Sequence, residues 1–184
     1  MATTAALPLS PAVRKFIVHW GEMGSSWGVN RTVAQIHALL YIAPRPLTAE
    51  EIAATLSIAR SNVSTSLREL QGWGIVRVAH VLGDRRDYFE SMRDVWEMFR
   101  IILEERKRRE VDPTLSVLRE CVATIEKTRP ADPEAKRRLG DLLEFMETMD
   151  GAYREFRTLS ITDLRRFLKL RGGVRKVASL ILSR

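Results

Sequence analysis

Cysteine is almost missing from this 184-residue chain: Cys121 stands alone, so one copy has no disulfide framework. Histidine is nearly as scarce. His19, His37 and His80 fall in separate segments, without the short spacings that zinc ligands keep. Long apolar runs are lacking too, since no uninterrupted stretch approaches the roughly 20 residues of a membrane span. The amino end, MATTAALPLSPAV, has neither the basic start nor the apolar core of a secretory signal. Glycines do cluster in GEMGSSWG, but they follow a helical pattern and carry no phosphate-loop lysine. The expectation from these absences is a cytoplasmic protein that is not an enzyme, with no metal, no cofactor and no membrane partner.

What is present is charge and helical periodicity. Thirty Lys+Arg against 23 Asp+Glu leave a net +7, which favours polyanionic partners. The charge is spread unevenly. Residues 1–92 hold nine basic and seven acidic side chains, and the remainder 21 and 16, whereas the short stretch 57–86 holds five against two.

Along the chain, Ser10-Pro11 opens a helix with Val13, Phe16, Ile17 and Trp20 at helical spacing. GEMGSSWGVNR is expected to interrupt it. A second helix then carries Val29, Val33, Ile36 and Leu40 and stops before Pro44 and Pro46. Thr48-Ala49-Glu50-Glu51 is a capping-box sequence that starts a short third helix. A fourth has Val63, Leu67 and Leu70 on one face and ends at Gly72. IVRVAHVL and RDYFES read as a hairpin around Gly83-Asp84-Arg85-Arg86.

Beyond residue 92 the pattern is helical throughout. Val95, Met98, Phe99, Ile102 and Leu103 form one stripe, and EERKRRE reads as a solvated helix end. Asp112-Pro113 and Asp132-Pro133 read as caps that restart helices, and Ser160 as the cap of a shorter one. Gly172-Gly173 is expected to precede an apolar, basic terminal helix that joins a dimer interface. Cys121, one turn past Val117, is expected as a small buried hydrophobe, and His37 as a satisfied core residue. The fold class is therefore mainly α with a small β-hairpin wing: a winged helix-turn-helix over 1–92 and a helical dimerisation region over 93–184.

The fourth helix sets the functional question. LSIARSNVSTSLRELQGWGIV is rich in Ser, Thr and Asn, which compete with the helix backbone for hydrogen bonds. With Val63, Leu67 and Leu70 buried, Ser61, Asn62, Ser64, Thr65 and Arg68 turn outward, with Arg60 at the helix start. Small polar side chains on an exposed helix suit entry into the major groove, where they reach base edges and phosphates. Arg85 and Arg86 at the hairpin tip would reach backbone phosphate or an adjacent minor groove. Mere solvation of an exposed helix explains each residue singly. The ordered set of capping box, polar-faced helix, Gly-Trp-Gly and Gly-Asp-Arg-Arg favours double-stranded DNA.

Residues 14–110, notably MGSSWGVNRTVAQIHALLYIAPRPLTAEEIAATLSIARSNVSTSLRELQGWGIVRV and GDRRDYFESMRDVWEMF, resemble the GbsR branch of the MarR-type winged-helix transcription regulators. The resemblance implies a homodimer that binds operator DNA, often as a repressor, with Arg60 to Arg68 on the recognition helix. Asp84 and Arg86 match the acidic-x-Arg wing of the wider superfamily, whereas Arg85 matches the Gly-x-Arg spacing of the nearer branch. Either arginine is thus a candidate for the groove. Some relatives respond to choline or related osmolytes, which makes Trp20, Trp27, Tyr41, Trp96 and Phe99 candidates for an aromatic effector pocket. Plain core packing is the other reading of those rings. The rival function from another class is a winged-helix protein-interaction module without DNA binding.

Overall fold

The computed structural model describes residues 6–127 and 132–169, in two compact units, Met1–Ile102 and Leu103–Arg184. In the first, α1 (Pro11–Ser26) and α2 (Arg31–Ile42) precede a two-residue strand β1 (Leu47–Thr48). Helices α3 (Ala49–Leu56) and α4 (Arg60–Gly72), strands β2 (Val76–Ala79) and β3 (Tyr88–Ser91), and α5 (Val95–Arg106), whose residues 103–106 belong to the second unit, follow. The strands form one antiparallel sheet in the order β1-β3-β2, with Leu47 opposite Phe89 and Val76 opposite Ser91. The mainly helical fold with a β wing is as the sequence indicates. Strand β1 is an addition, too short for any period-2 pattern to reveal.

The local chemistry explains most boundaries. Ser10 Oγ accepts from the Val13 N–H with Pro11 at the first helical position. Asn30 Oδ1 accepts from the Thr32 N–H at 2.8 Å, so α2 starts after Val29 rather than with it. At α3 the capping box is complete: Thr48 Oγ1 accepts from the Glu51 N–H, and Glu51 Oε2 accepts from the Thr48 N–H at 2.8 Å. Arg93 closes the other end of α2, donating to the carbonyls of Tyr41 and Ala43.

One expectation fails at the glycines. α1 runs through Gly21 and Gly24 to Ser26, so the break expected over GEMGSSWGVNR is confined to residues 27–30. A Cβ at Gly21 would lie 2.6 Å from Gln35 Cγ, and one at Gly24 2.6 Å from Ala34 Cβ. These glycines let α1 and α2 cross at close range, and the packing offsets their weak helix propensity, about 1 kcal/mol each.

In the second unit, a π-helical turn (Lys107–Val111) leads into α6 (Asp112–Ile125), and α7 (Pro133–Thr158) and α8 (Ile161–Lys169) follow. Asp112 is therefore not a cap. It is helical and ion-pairs with Lys107. Pro113 lacks an N–H and crowds the carbonyl four residues back, and the wider π turn absorbs both defects without breaking the chain direction. Asp132 does cap α7, and Ser160 Oγ accepts from the Asp163 N–H at 3.0 Å. The pairs Lys136–Glu126 and Arg119–Glu147 show that α6 and α7 run antiparallel. Leu115 and Leu118 take the buried side of α6, which leaves Val117 and Cys121 exposed, so Cys121 is not a core residue. The expected Gly172-Gly173 break and terminal helix lie outside the described residues.

His37 is buried as expected but not satisfied. It sits between the rings of Trp20 and Tyr41, 6.5 Å from each centroid, and its Nε2 has no hydrogen-bond partner among the described residues. Desolvation lowers its pKa from 6.5 to about 4.

The glycines and His37 set three expectations for stability. Gly24→Ala should destabilise the protein by roughly 1–3 kcal/mol in urea unfolding, because two helices must part. Gly72→Ala, which meets only open space, should be neutral or stabilising by up to about 1 kcal/mol. The folded state holds His37 neutral, whereas the unfolded chain takes up its proton below pH 6.5. Stability should thus be full above that pH and fall by on the order of 3 kcal/mol towards pH 4. His37→Phe should flatten that part of the pH profile.

Candidate nucleic-acid interface

Helix α4 is held by its back. Val63, Leu67 and Leu70 are 0%, 2% and 0% exposed and belong to the core that also contains Ile36, Leu39, Leu40 and Ile52. Burying each such side chain stabilises the fold by roughly 1.5–3 kcal/mol. Ser57 turns the chain between α3 and α4 in the left-handed region, at φ 55°. The front of α4 is consequently fixed: Arg60, Ser61, Asn62, Thr65 and Arg68 are exposed and Ser64 is half-buried.

These outward side chains differ in how far they are engaged. Arg60 Nε donates to Glu50 Oε1 at 2.8 Å, and its guanidinium also reaches Ser64 Oγ. That hydroxyl in turn donates to the Arg60 carbonyl at 3.1 Å. The hydrogen bond from Arg60 holds the Glu50 carboxyl below the usual carboxylate range, and the charge of Arg86 contributes. Glu50 thus ties α3 to the start of α4. Among the described residues, Arg68 makes only a long contact, Nε to the Ser64 carbonyl at 3.5 Å, and has no carboxylate partner. Ala59 precedes α4 without a side-chain acceptor, so no cap occupies the first N–H groups of the helix.

The wing treats its two arginines differently. Asp84 Oδ1 accepts from the Arg86 N–H at 2.9 Å and from Arg86 Nε at 3.0 Å. Asp84 Oδ2 accepts from Arg86 Nη2 at 2.6 Å and from the Tyr88 hydroxyl at 2.8 Å. The Arg86 guanidinium also lies 5.5 Å from the Tyr88 ring centroid. Hydrogen bonds from Arg86 hold Asp84 well below the ordinary carboxylate range, and Asp84 raises the pKa of Arg86. Arg85, next door, is exposed and has no ion pair among the described residues. Arg86 is therefore a brace, and Arg85 and Arg68 are the unengaged cations of this surface. Glu50 and Tyr88 escaped the sequence reading. Glu50 is ten residues from Arg60, beyond any helical pairing rule, but Asp84, Arg86 and Tyr88 do alternate with strand period.

Of the aromatic candidates, Trp20 and Tyr41 are brought together on either side of His37. Trp27 and Phe99 stand at the surface, 52% and 45% exposed, and Trp96 is half-buried. A groove of about 580 Å³ along α1 is lined by Leu9, Pro11, Arg14, Lys15, Val18, His19 and Glu22, and by none of the five.

Residues 27–87 match the model of the MarR family, a span that takes in α2 to α4 and the wing loop. The HTH-type transcriptional repressor GbsR of Bacillus subtilis (strain 168) is 22% identical over 130 residues, covering 69% of this chain and 72% of its own. A crystal structure of a transcriptional regulator superposes with a TM-score of 0.61 at 23% identity, covering 80% of this chain and 96% of that one. At that identity the superposition speaks for the fold alone.

Proposed function

We propose, on the premise that residues 27–87 form a MarR-type winged-helix domain of the GbsR branch, that this chain is a sequence-specific DNA-binding transcription repressor. It works in the cytoplasm as a homodimer and responds to a small ligand. The observation that carries this reading is the front of α4, an exposed row of Ser61, Asn62, Thr65 and Arg68 on a helix whose back is wholly buried. In the major groove, Asn62, Thr65 and Ser61 face base edges, while Arg68 and Arg85 neutralise phosphates or enter the minor groove. Arg60 and Arg86 start from internal ion pairs, so their share is smaller.

Dimerisation is supported by what the helical half leaves uncovered. Among the 26 residues of α7 the only buried one is Asp150, held by Lys107 at 2.8 Å and Arg154 at 2.9 Å. Leu142, Phe145, Met149 and Phe156 remain exposed on the same helix. A helix this apolar needs a lid, and a second copy supplies one. Two chains then present two α4 helices to half-sites about 34 Å apart. A ligand that prefers one separation shifts operator affinity by its differential binding. Trp20 and Tyr41 beside His37, with Trp27, Trp96 and Phe99, are the proposed aromatic contacts for a cationic effector.

The test uses the full-length chain and duplexes it enriches from a random-sequence pool. Affinity should fall steeply with salt, and Arg68→Ala with Arg85→Ala should reduce the log–log slope by roughly 3 to 4 across a dimer. A flat salt response, or a slope the double variant leaves intact, would remove the phosphate contacts. Leu142→Glu with Phe145→Glu should turn the dimer into a monomer in sedimentation and weaken DNA binding. A dimer that persists would move the interface elsewhere.

A further inference from the structure

The loop between β2 and β3 carries a feature that the hydrogen-bond network around it does not explain. Leu82 is 104% exposed and Val81 44% exposed, at the far end of the wing. A lone exposed leucine is ordinary; the setting of this pair is not. Gly83 follows at φ 82°, and the Asp84 N–H donates to the Val81 carbonyl at 3.1 Å, which closes a turn that holds both apolar side chains outward. Behind the turn, the Asp84–Arg86–Tyr88 brace stiffens the loop. Glu50, which accepts from Arg60, also feels the charge of Arg86, so the brace lies near the start of α4. Arg85, without an ion pair among the described residues, stands three residues past Leu82. The protein thus braces an apolar tip, with a free cation beside it, at the edge of a surface suited to DNA.

We propose that Leu82, backed by Val81 and flanked by Arg85, is an apolar wedge that enters the minor groove of the bound duplex and partly unstacks one base step. The inference rests on the DNA-binding reading and adds a positioning residue to it. Apolar wedges unstack and kink duplexes by roughly 20–90°, and the cation offsets phosphate repulsion where the groove narrows. Flexible pyrimidine–purine steps resist this least, so the wedge selects sequence at a position where the protein makes no base hydrogen bond.

The test compares the full-length chain with Leu82→Ala and Leu82→Met on duplexes enriched from a random pool and labelled at both ends for energy transfer. The native chain is expected to shorten the end-to-end distance. Its enriched duplexes should carry TA or CA/TG steps at a fixed offset from each half-site. Leu82→Ala should bind about tenfold more weakly per half-site, roughly a hundredfold across a dimer, the equivalent of one buried leucine per site. It should also lose the shortening and the step preference, yet keep its salt slope and its melting temperature. Leu82→Met should retain the bend. Equal affinity and equal bending in Leu82→Ala would overturn the wedge and leave the DNA reading standing. A native chain that enriches no duplex would overturn both, and retention of a protein partner through Leu82 would then reassign the tip.

Discussion

The burial of Val63, Leu67 and Leu70 in the core is the constraint on which the rest depends. Those three side chains fix the rotation of α4 about its own axis. A helix with its apolar stripe locked inward has no choice about which residues it turns to solvent. Ser61, Asn62, Thr65 and Arg68 are outward because their neighbours are inward. The poor helix formers of this segment are tolerated because tertiary packing, rather than intrinsic propensity, holds the helix.

Around that anchor the smaller devices serve position. Gly21 and Gly24 allow α1 to lie close against α2, and α2 provides Ile36, Leu39 and Leu40 for the core in which α4 is set. The Thr48–Glu51 capping box fixes where α3 begins, and the Ser57 turn fixes how α4 leaves it. Glu51 also accepts from Arg45 at 2.6 Å, joining the entry loop to the same cap. The wing has its own brace in Asp84, Arg86 and Tyr88. In the helical half, Lys107 of the π turn bridges Asp112 and the buried Asp150, so an otherwise costly buried carboxylate is paired.

Much of this could be read from residue patterns. The caps at Ser10, Thr48, Asp132 and Ser160 and the stripe of α4 are local signals with local causes, and they appear where the pattern places them. The failures share a cause as well. Glycine weakens a helix in isolation, so Gly21 and Gly24 read as a break, whereas the crossing that needs them is a tertiary fact. Asp112-Pro113 looks like a cap because the pair suits one, but a π turn provides another way to house a proline. Cys121 and Val117 follow an apolar period, but α6 turns Leu115 and Leu118 inward and leaves these two exposed, a choice of face that the period alone does not make. On the exposed face of α4, the type and position of the residues are legible in the sequence. Their engagement is not, because the pairing of Arg60 with Glu50 and of Arg86 with Asp84 depends on distances no spacing rule carries.

The most direct test of the central claim is where α4 goes when DNA is bound. A photo-crosslinker on Thr65→Cys, in a Cys121→Ser background, should form adducts with bases of an enriched duplex through the major groove. The same probe on Lys15→Cys of α1 should give none. Intact binding with no base adduct from position 65 would contradict the claim.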